Sequence, residues 1–186
     1  MKLFCSRHNR PYQLHRRRTL QLHLFFQLLA FGFLLCALTS CSQKTVQPMQ
    51  SSNTISYAFR LKPGQDLRQG IQIFVEEKQI MAGWISTCVG SLTDYNIRFA
   101  NQPQGSTGSG HFEIVSITGA LSVNGSHIHI SISDSTGKTI GGHLMDGCKI
   151  YTTAEIVISS SNNFIFKREN DGSTPYKELQ VEEIKK

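Results

Sequence analysis

The first 41 residues hold no aspartate or glutamate, although the chain of 186 residues has 13 of them. The same stretch carries Lys2, Arg7, Arg10, Arg16, Arg17 and Arg18, six of the 19 basic residues. The formal charge of +6 and the pI near 9.2 therefore belong to this leader. From Ser42 onward the chain carries 13 charges of each sign. A nucleic-acid binder needs surplus basic side chains to displace counterions from phosphates. Residues 42–186 have no such surplus, so nucleic acid is not the expected partner. Cysteine is scarce as well. Of five, Cys5, Cys36 and Cys41 lie in the leader, leaving Cys88 and Cys148, too few for a disulfide framework. Cys88 stands in the apolar run WISTCVG, a setting that suits a buried free thiol. Pairing with Cys148 depends on a separation that sequence does not show. No internal repeat or low-complexity tract is present, which excludes solenoids and arrays.

Behind the basic segment runs LHLFFQLLAFGFLLCAL, closed by Leu38-Thr39-Ser40-Cys41. A basic head, an apolar run and small residues before a cut site are the parts of a secretory signal. The alternative is an uncleaved anchor, for which the run is short against the ~20 residues of a membrane span. The cysteine after Leu-Thr-Ser resembles the lipobox of bacterial lipoproteins, which implies an acyl chain (palmitate or its like) on Cys41. Ser42 and Gln43 resemble the sorting signal for the outer membrane. The expected place is the cell envelope, lipid-anchored and facing the periplasm. The expected divisions are a signal at 1–41, a polar tether at 42–53, one domain at 54–180 and a charged tail at 181–186.

Hydrophobic periodicity places a strand at Ile55–Leu61, then Pro63-Gly64, then a helix capped by Asp66 with Leu67, Ile71, Phe74 and Val75 on its apolar face. Strands are expected at Met81–Val89, Ile97–Ala100, Phe112–Thr118, Ser126–Ser133, Ile150–Ile158 and Asn163–Lys167, with a Gly-, Gln- and Ser-rich loop over Asn101–Gly110. One main helix beside about seven strands makes an α+β domain with a mostly antiparallel sheet.

The chemistry gathers in HIHISISDSTGKTIGGH. All four histidines after the leader, His111, His127, His129 and His143, fall within 33 residues. In a strand His127 and His129 share one face while Ile128, Ile130 and Ile132 take the other. His143 follows a turn and two glycines, which permit close backbone approach. Three imidazoles with an open fourth position are a catalytic-type zinc set, though nickel, copper or iron also accept them. The competing reading is a histidine ladder on a solvated face. Among nearby residues, Glu113 is a candidate general acid or base and Arg98 a candidate clamp for an anionic small molecule. Glu155, set among apolar residues, calls for a pairing partner. His111 is expected at a loop edge, and Asp134 and Asp146 are expected to shape turns.

Segments along almost the whole domain, YAFRLKPGQDL, TCVGSL with IRFAN, GHFEIVSITG, HIHISISD, GGHLMDGCKIYTTAEIVI and FKRENDGSTPYKELQ, resemble in order the plant- and prokaryote-conserved (PPC) domain, bacterial branch. The resemblance implies a compact domain assembled as a homotrimer, and a DNA-binding label borrowed from plant members that carry AT-hooks. No Arg-Gly-Arg-Pro hook occurs here. The His-x-His…Gly-Gly-His pattern is also similar to that of acetolactate decarboxylases and a related zinc ester hydrolase, which implies His127, His129 and His143 as zinc ligands. Two functions follow: a lipid-anchored metalloprotein, hydrolase or lyase on a small substrate, or a non-catalytic PPC binding module.

Overall fold

The computed structural model describes residues 53–185; the leader, Cys41 and all of the tether but Asn53 lie outside the described residues. In chain order the elements are β1 (Thr54–Leu61), α1 (Leu67–Glu77), β2 (Gly83–Arg98), β3 (Ser106–Leu121), β4 (His127–Ser133), β5 (Thr139–Leu144), β6 (Lys149–Ser161), β7 (Phe164–Glu169) and β8 (Glu178–Glu183). One helix beside eight strands, all paired antiparallel among the described residues, is the α+β architecture that the periodicity implies.

The helix begins where the sequence sets it. Asp66 lies in extended conformation and its Oδ1 accepts from the Gln69 N–H at 3.1 Å. Its Oδ2 accepts from the Gly147 N–H at 2.7 Å and lies 3.5 Å from Lys149 Nζ. One buried carboxylate thus caps α1 and ties it to the turn before β6. Asp66→Ala should cost about 2–3 kcal/mol, a lost cap plus an orphaned buried N–H. A denaturant midpoint unchanged within error would refute that role.

A six-stranded sheet runs in the order β1-β6-β2-β3-β4-β5, and β7-β8 form a separate hairpin. The last two residues of β2 also pair with β5, Ile97 with Leu144 and Arg98 with His143. That pairing closes β2, β3, β4 and β5 into a ring. The core gathers Leu67, Ile71 and Val75 of α1 with Ile97, Ile128, Ile130, Ile132, Leu144, Ile156 and Ile158 of the sheet. Phe74 stacks on Phe59 of β1 with ring centroids 3.9 Å apart, which seats the helix on that edge.

Two strand expectations need correction. Met81–Val89 and Ile97–Ala100 are not separate strands but parts of the single β2. Irregularities near Ile85/Thr87, Gly90/Leu92 and Leu92/Asp94 break the alternation that periodicity relies on. Gly90 is no turn: a Cβ there would lie 2.2 Å from the Thr153 carbonyl, so β2 and β6 meet closely at this point. The Asn101–Gly110 loop is likewise shorter, because β3 starts at Ser106 and pairs with Tyr95–Ile97. Gly108 leaves room for the Tyr95 ring, which a Cβ would approach to 2.6 Å, and Ser109 Oγ donates to Asp94 Oδ1 at 2.6 Å. Small residues that look like loop composition are therefore strand packing. The last strand, β8, runs from Glu178 to Glu183.

Among the described residues, Cys88 and Cys148 are free. Burial pushes the Cys148 thiol up to about 11; burial, and then the charge of Glu155, does the same at Cys88. Cys148 Sγ accepts from the Asn96 N–H at 3.3 Å. Among the described residues no helix is long and apolar enough to cross a membrane.

Candidate metal centre

Strand alternation does at β4 what the sequence implies. Ile128, Ile130 and Ile132 are buried, while His127 is half-buried and His129 exposed on the opposite face. Register then sets His143 of β5 directly across from His129. The approach depends on Gly142, where a Cβ would stand 2.5 Å from the Arg98 carbonyl oxygen. The three imidazoles each present a ring nitrogen, all within 4.8 Å of one another. His127 Nε2 and His129 Nε2 are 3.1 Å apart, close to the ~3.3 Å edge of a tetrahedron with metal–nitrogen bonds of 2.0–2.1 Å.

Electrostatics favour the ligand form of the imidazoles. Burial, then the charges of His127 and Arg98, brings the His143 pKa down to about 4. Burial, then the Arg168 guanidinium, lowers that of His127. Both are neutral at pH 7, with a lone pair to give. His143 Nδ1 is buried and has no hydrogen-bond partner among the described residues. An orphaned buried nitrogen costs about 1–3 kcal/mol, and a cation is one group that would satisfy it. The residues present therefore fit a metal ion.

A pH dependence follows for the metal-free protein. The folded-state pKa of His143 lies below its unfolded value, so the unfolded chain binds more protons between about pH 6.5 and 4. The stability tied to His143 should fall as pH drops through that window and stay constant below it. Thermal unfolding midpoints should show this, and His143→Asn should flatten the slope in proportion to its share. An unchanged slope in the variant would refute the assignment.

Other sequence candidates divide. Arg98 does reach the cleft beside His127, His129 and His143. Glu113 does not: it is exposed on β3, paired with Ser133 and Ser91. Ser133 lies four residues beyond His129, so the carboxylate stands ~13 Å from the cluster along the sheet. Glu113 is not among the residues that line the cleft. His111 stacks on Tyr151, with ring centroids 4.3 Å apart. Glu155 is exposed on β6, where alternation turns it from the apolar face. Asp134 accepts from Thr136 N–H and Lys138 N–H, shaping its turn as expected, and Asp146 pairs with Arg68 at 3.2 Å.

The sequence reading missed the far wall of the cleft, an open space of about 530 Å³. Arg168, Tyr176, Lys177 and Glu178 come from the β7–β8 hairpin. Ser122 Oγ and Asn124 Nδ2 donate to the Phe166 carbonyl and hold β7 against the turn before β4. Arg168 thereby places Nη2 3.3 Å from His127 Nδ1. The one signal for this wall is the final segment FKRENDGSTPYKELQ, whose basic residues no periodicity explains.

Residues 49–162 match the family model of the Plants and Prokaryotes Conserved (PCC) domain. The chain belongs to this family. The bifunctional protein GlmU of Synechococcus sp. (strain JA-3-3Ab) is 40% identical over 138 residues, which are 74% of this chain and 22% of that protein. The chain thus spans about a fifth of the length of the curated relatives it matches. Among solved structures, a hypothetical protein from Salmonella cholerae-suis is 38% identical, with a TM-score of 0.71 over 73% of this chain and 99% of that one. A candidate DNA-binding protein from Bacteroides thetaiotaomicron is 21% identical, with a TM-score of 0.59 over 72% of this chain and 98% of that one. A metal-containing protein from Archaeoglobus fulgidus is 24% identical, with a TM-score of 0.59 over 71% and 99%. At those identities the last two establish the fold. The PCC match ends at residue 162, before Arg168 and the rest of the hairpin wall.

Proposed function

We propose that this PCC domain is a metal-binding protein whose ligands are His127, His129 and His143, with zinc as the ion. The observation that carries the reading is the convergence of three ring nitrogens within 4.8 Å on the wall of an open cleft. Three neutral ligands leave a divalent ion its full charge and a free position, which suits it to activate water near pH 7 or polarise a carbonyl. The reaction class is metal-assisted hydrolysis or lyase chemistry on a small molecule, in line with the likeness of the histidine pattern to the acetolactate decarboxylases. The histidines would hold the ion; Arg98 and the hairpin would orient what enters the cleft.

The setting we propose is the cell envelope: an acyl chain on Cys41, a polar tether, and a domain that assembles as a homotrimer. The charge balance after the leader supports a partner other than nucleic acid. The DNA-binding reading rests on the names of relatives, and residues 42–186 carry no surplus of basic side chains to accompany it. Elemental analysis of the full chain, purified in mild detergent, tests the metal. About one zinc per chain supports the site, and absence of stoichiometric metal after zinc exposure sinks it.

A further inference from the structure

The cleft carries a charge pattern that the histidines do not explain. Arg98, Arg168 and Lys177 face it against a single acid, Glu178. Residues 42–186 carry 13 acids and 13 bases, so this is a local concentration. The ion pairs among the described residues are Arg68–Asp146, Lys149–Asp66 and Lys167–Glu182, so neither cleft arginine has a carboxylate partner there. Arg98 reaches the Gln102 carbonyl only at 3.5 Å, and its Cζ lies 5.8 Å from the Tyr176 ring centre. Arg168 donates through Nη2 to the Lys177 carbonyl and lies beside His127 Nδ1. Each guanidinium has five donor hydrogens, and most of both forks stay unengaged while the side chains are half-buried. An imidazole that gives Nε2 to a cation keeps its proton on Nδ1 and cannot accept there. A cation held through His127 Nε2 would therefore remove one acceptor from Arg168 and leave the Lys177 carbonyl as the other.

We propose that the cleft binds a small oxyanion, a carboxylate or phosphate group, held by the forks of Arg98 and Arg168 beside the three histidines. The arginine fork matches both groups bidentately, which a lysine point charge does not. Lys177 adds field, and the Tyr176 ring lies beside Arg98, its centre 5.8 Å from Cζ. This deepens the metal-site reading and rests on it only for what the rest of the ligand meets. Arg168, Tyr176 and Lys177 all lie beyond the matched family segment, so the anion subsite is partly a property of the C-terminal hairpin.

The test is calorimetric titration of the full chain in detergent at low ionic strength, with and without one equivalent of zinc. The probes are propionate, methyl phosphate and the neutral isostere propionamide. One or both anions should bind and propionamide should not, the stronger anion naming the source. R98Q/R168Q should weaken anion binding at least tenfold; R98K/R168K, which keeps charge and loses the fork, should weaken it less. Equal binding of propionamide, or anion affinity unchanged in R98Q/R168Q, overturns the proposal. If the double variant unfolds, R98Q alone, which leaves the hairpin intact, carries the same test. Anion binding that depends on the arginines in a chain that takes up no added zinc would retain this proposal and sink the metal site. Stoichiometric metal with arginine-independent anion binding would do the reverse.

Discussion

His127→Ala with His129→Ala is expected to abolish metal retention while leaving the fold in place. Structural zinc sites bind with about 10–16 kcal/mol over four ligands, so each imidazole is worth about 3 kcal/mol, or ~100-fold in affinity. Losing two of three ligands should take affinity down by about four orders of magnitude. Stability should hardly move, because both side chains stand on the outer face of β4 while Ile128, Ile130 and Ile132 do the packing behind it. The contact between the two rings at 3.1 Å disappears with them, and an exposed hydrogen bond of this kind contributes little net. The double variant should therefore unfold near the wild-type midpoint in metal-free buffer and lose the rise in midpoint that added zinc gives the wild type. Stoichiometric metal retained in the variant would show that the ion sits elsewhere. His143→Ala is a less clean probe, since that ring is half-buried and its loss also opens space beside Leu144.

The histidine cluster was legible in the sequence because strand alternation is local. His-x-His within alternating isoleucines needs no knowledge of distant residues to be placed on one face. The Asp66 cap was legible for the same reason, a side chain serving an amide three residues ahead. The run from Gly90 to Gly110 was not. Its small residues meet partners across strand pairings, Gly90 against Thr153 and Gly108 under Tyr95, and composition reads the same at such a contact as at a turn. The hairpin wall was hidden more deeply. Arg168 reaches His127 only because Phe166 is tied to the turn before β4, and no periodicity within β7 shows that tie. Glu113 marks the opposite case. It lies closer in sequence to His127 than Arg168 does, yet the antiparallel register carries it toward Ser133 and away from the cluster.

Gly142→Ala is expected to damage the centre without touching a ligand. No positive φ is involved, so the alanine backbone is not strained; the cost is space alone. Its Cβ would lie 2.5 Å from the Arg98 carbonyl oxygen and 3.0 Å from Ile97 Cγ2. The carbonyl is backbone in the ring-closing pair of β2 with β5 and cannot swing aside. The strands must separate by several tenths of an ångström. His143 is the next residue and the partner of Arg98 across that pairing, so it moves with β5 while His127 and His129 stay on β4. A metal centre tolerates about ±0.2 Å in its ligand distances, so the shift should cost ~10–100-fold in metal affinity. Overpacking of this kind should also remove about 1–3 kcal/mol of stability. Gly110→Ala is the control, because its Cβ would meet only the tip of the Phe112 ring, at 3.2 Å. Competition with a fluorescent zinc chelator reads the affinity, and a denaturant midpoint reads the stability. If Gly142→Ala binds zinc as the wild type does while Gly110→Ala behaves the same, β5 closes on β2 for reasons unconnected with His143. Metal loss in Gly142→Ala alone would make Gly142 as much a part of the centre as the imidazoles.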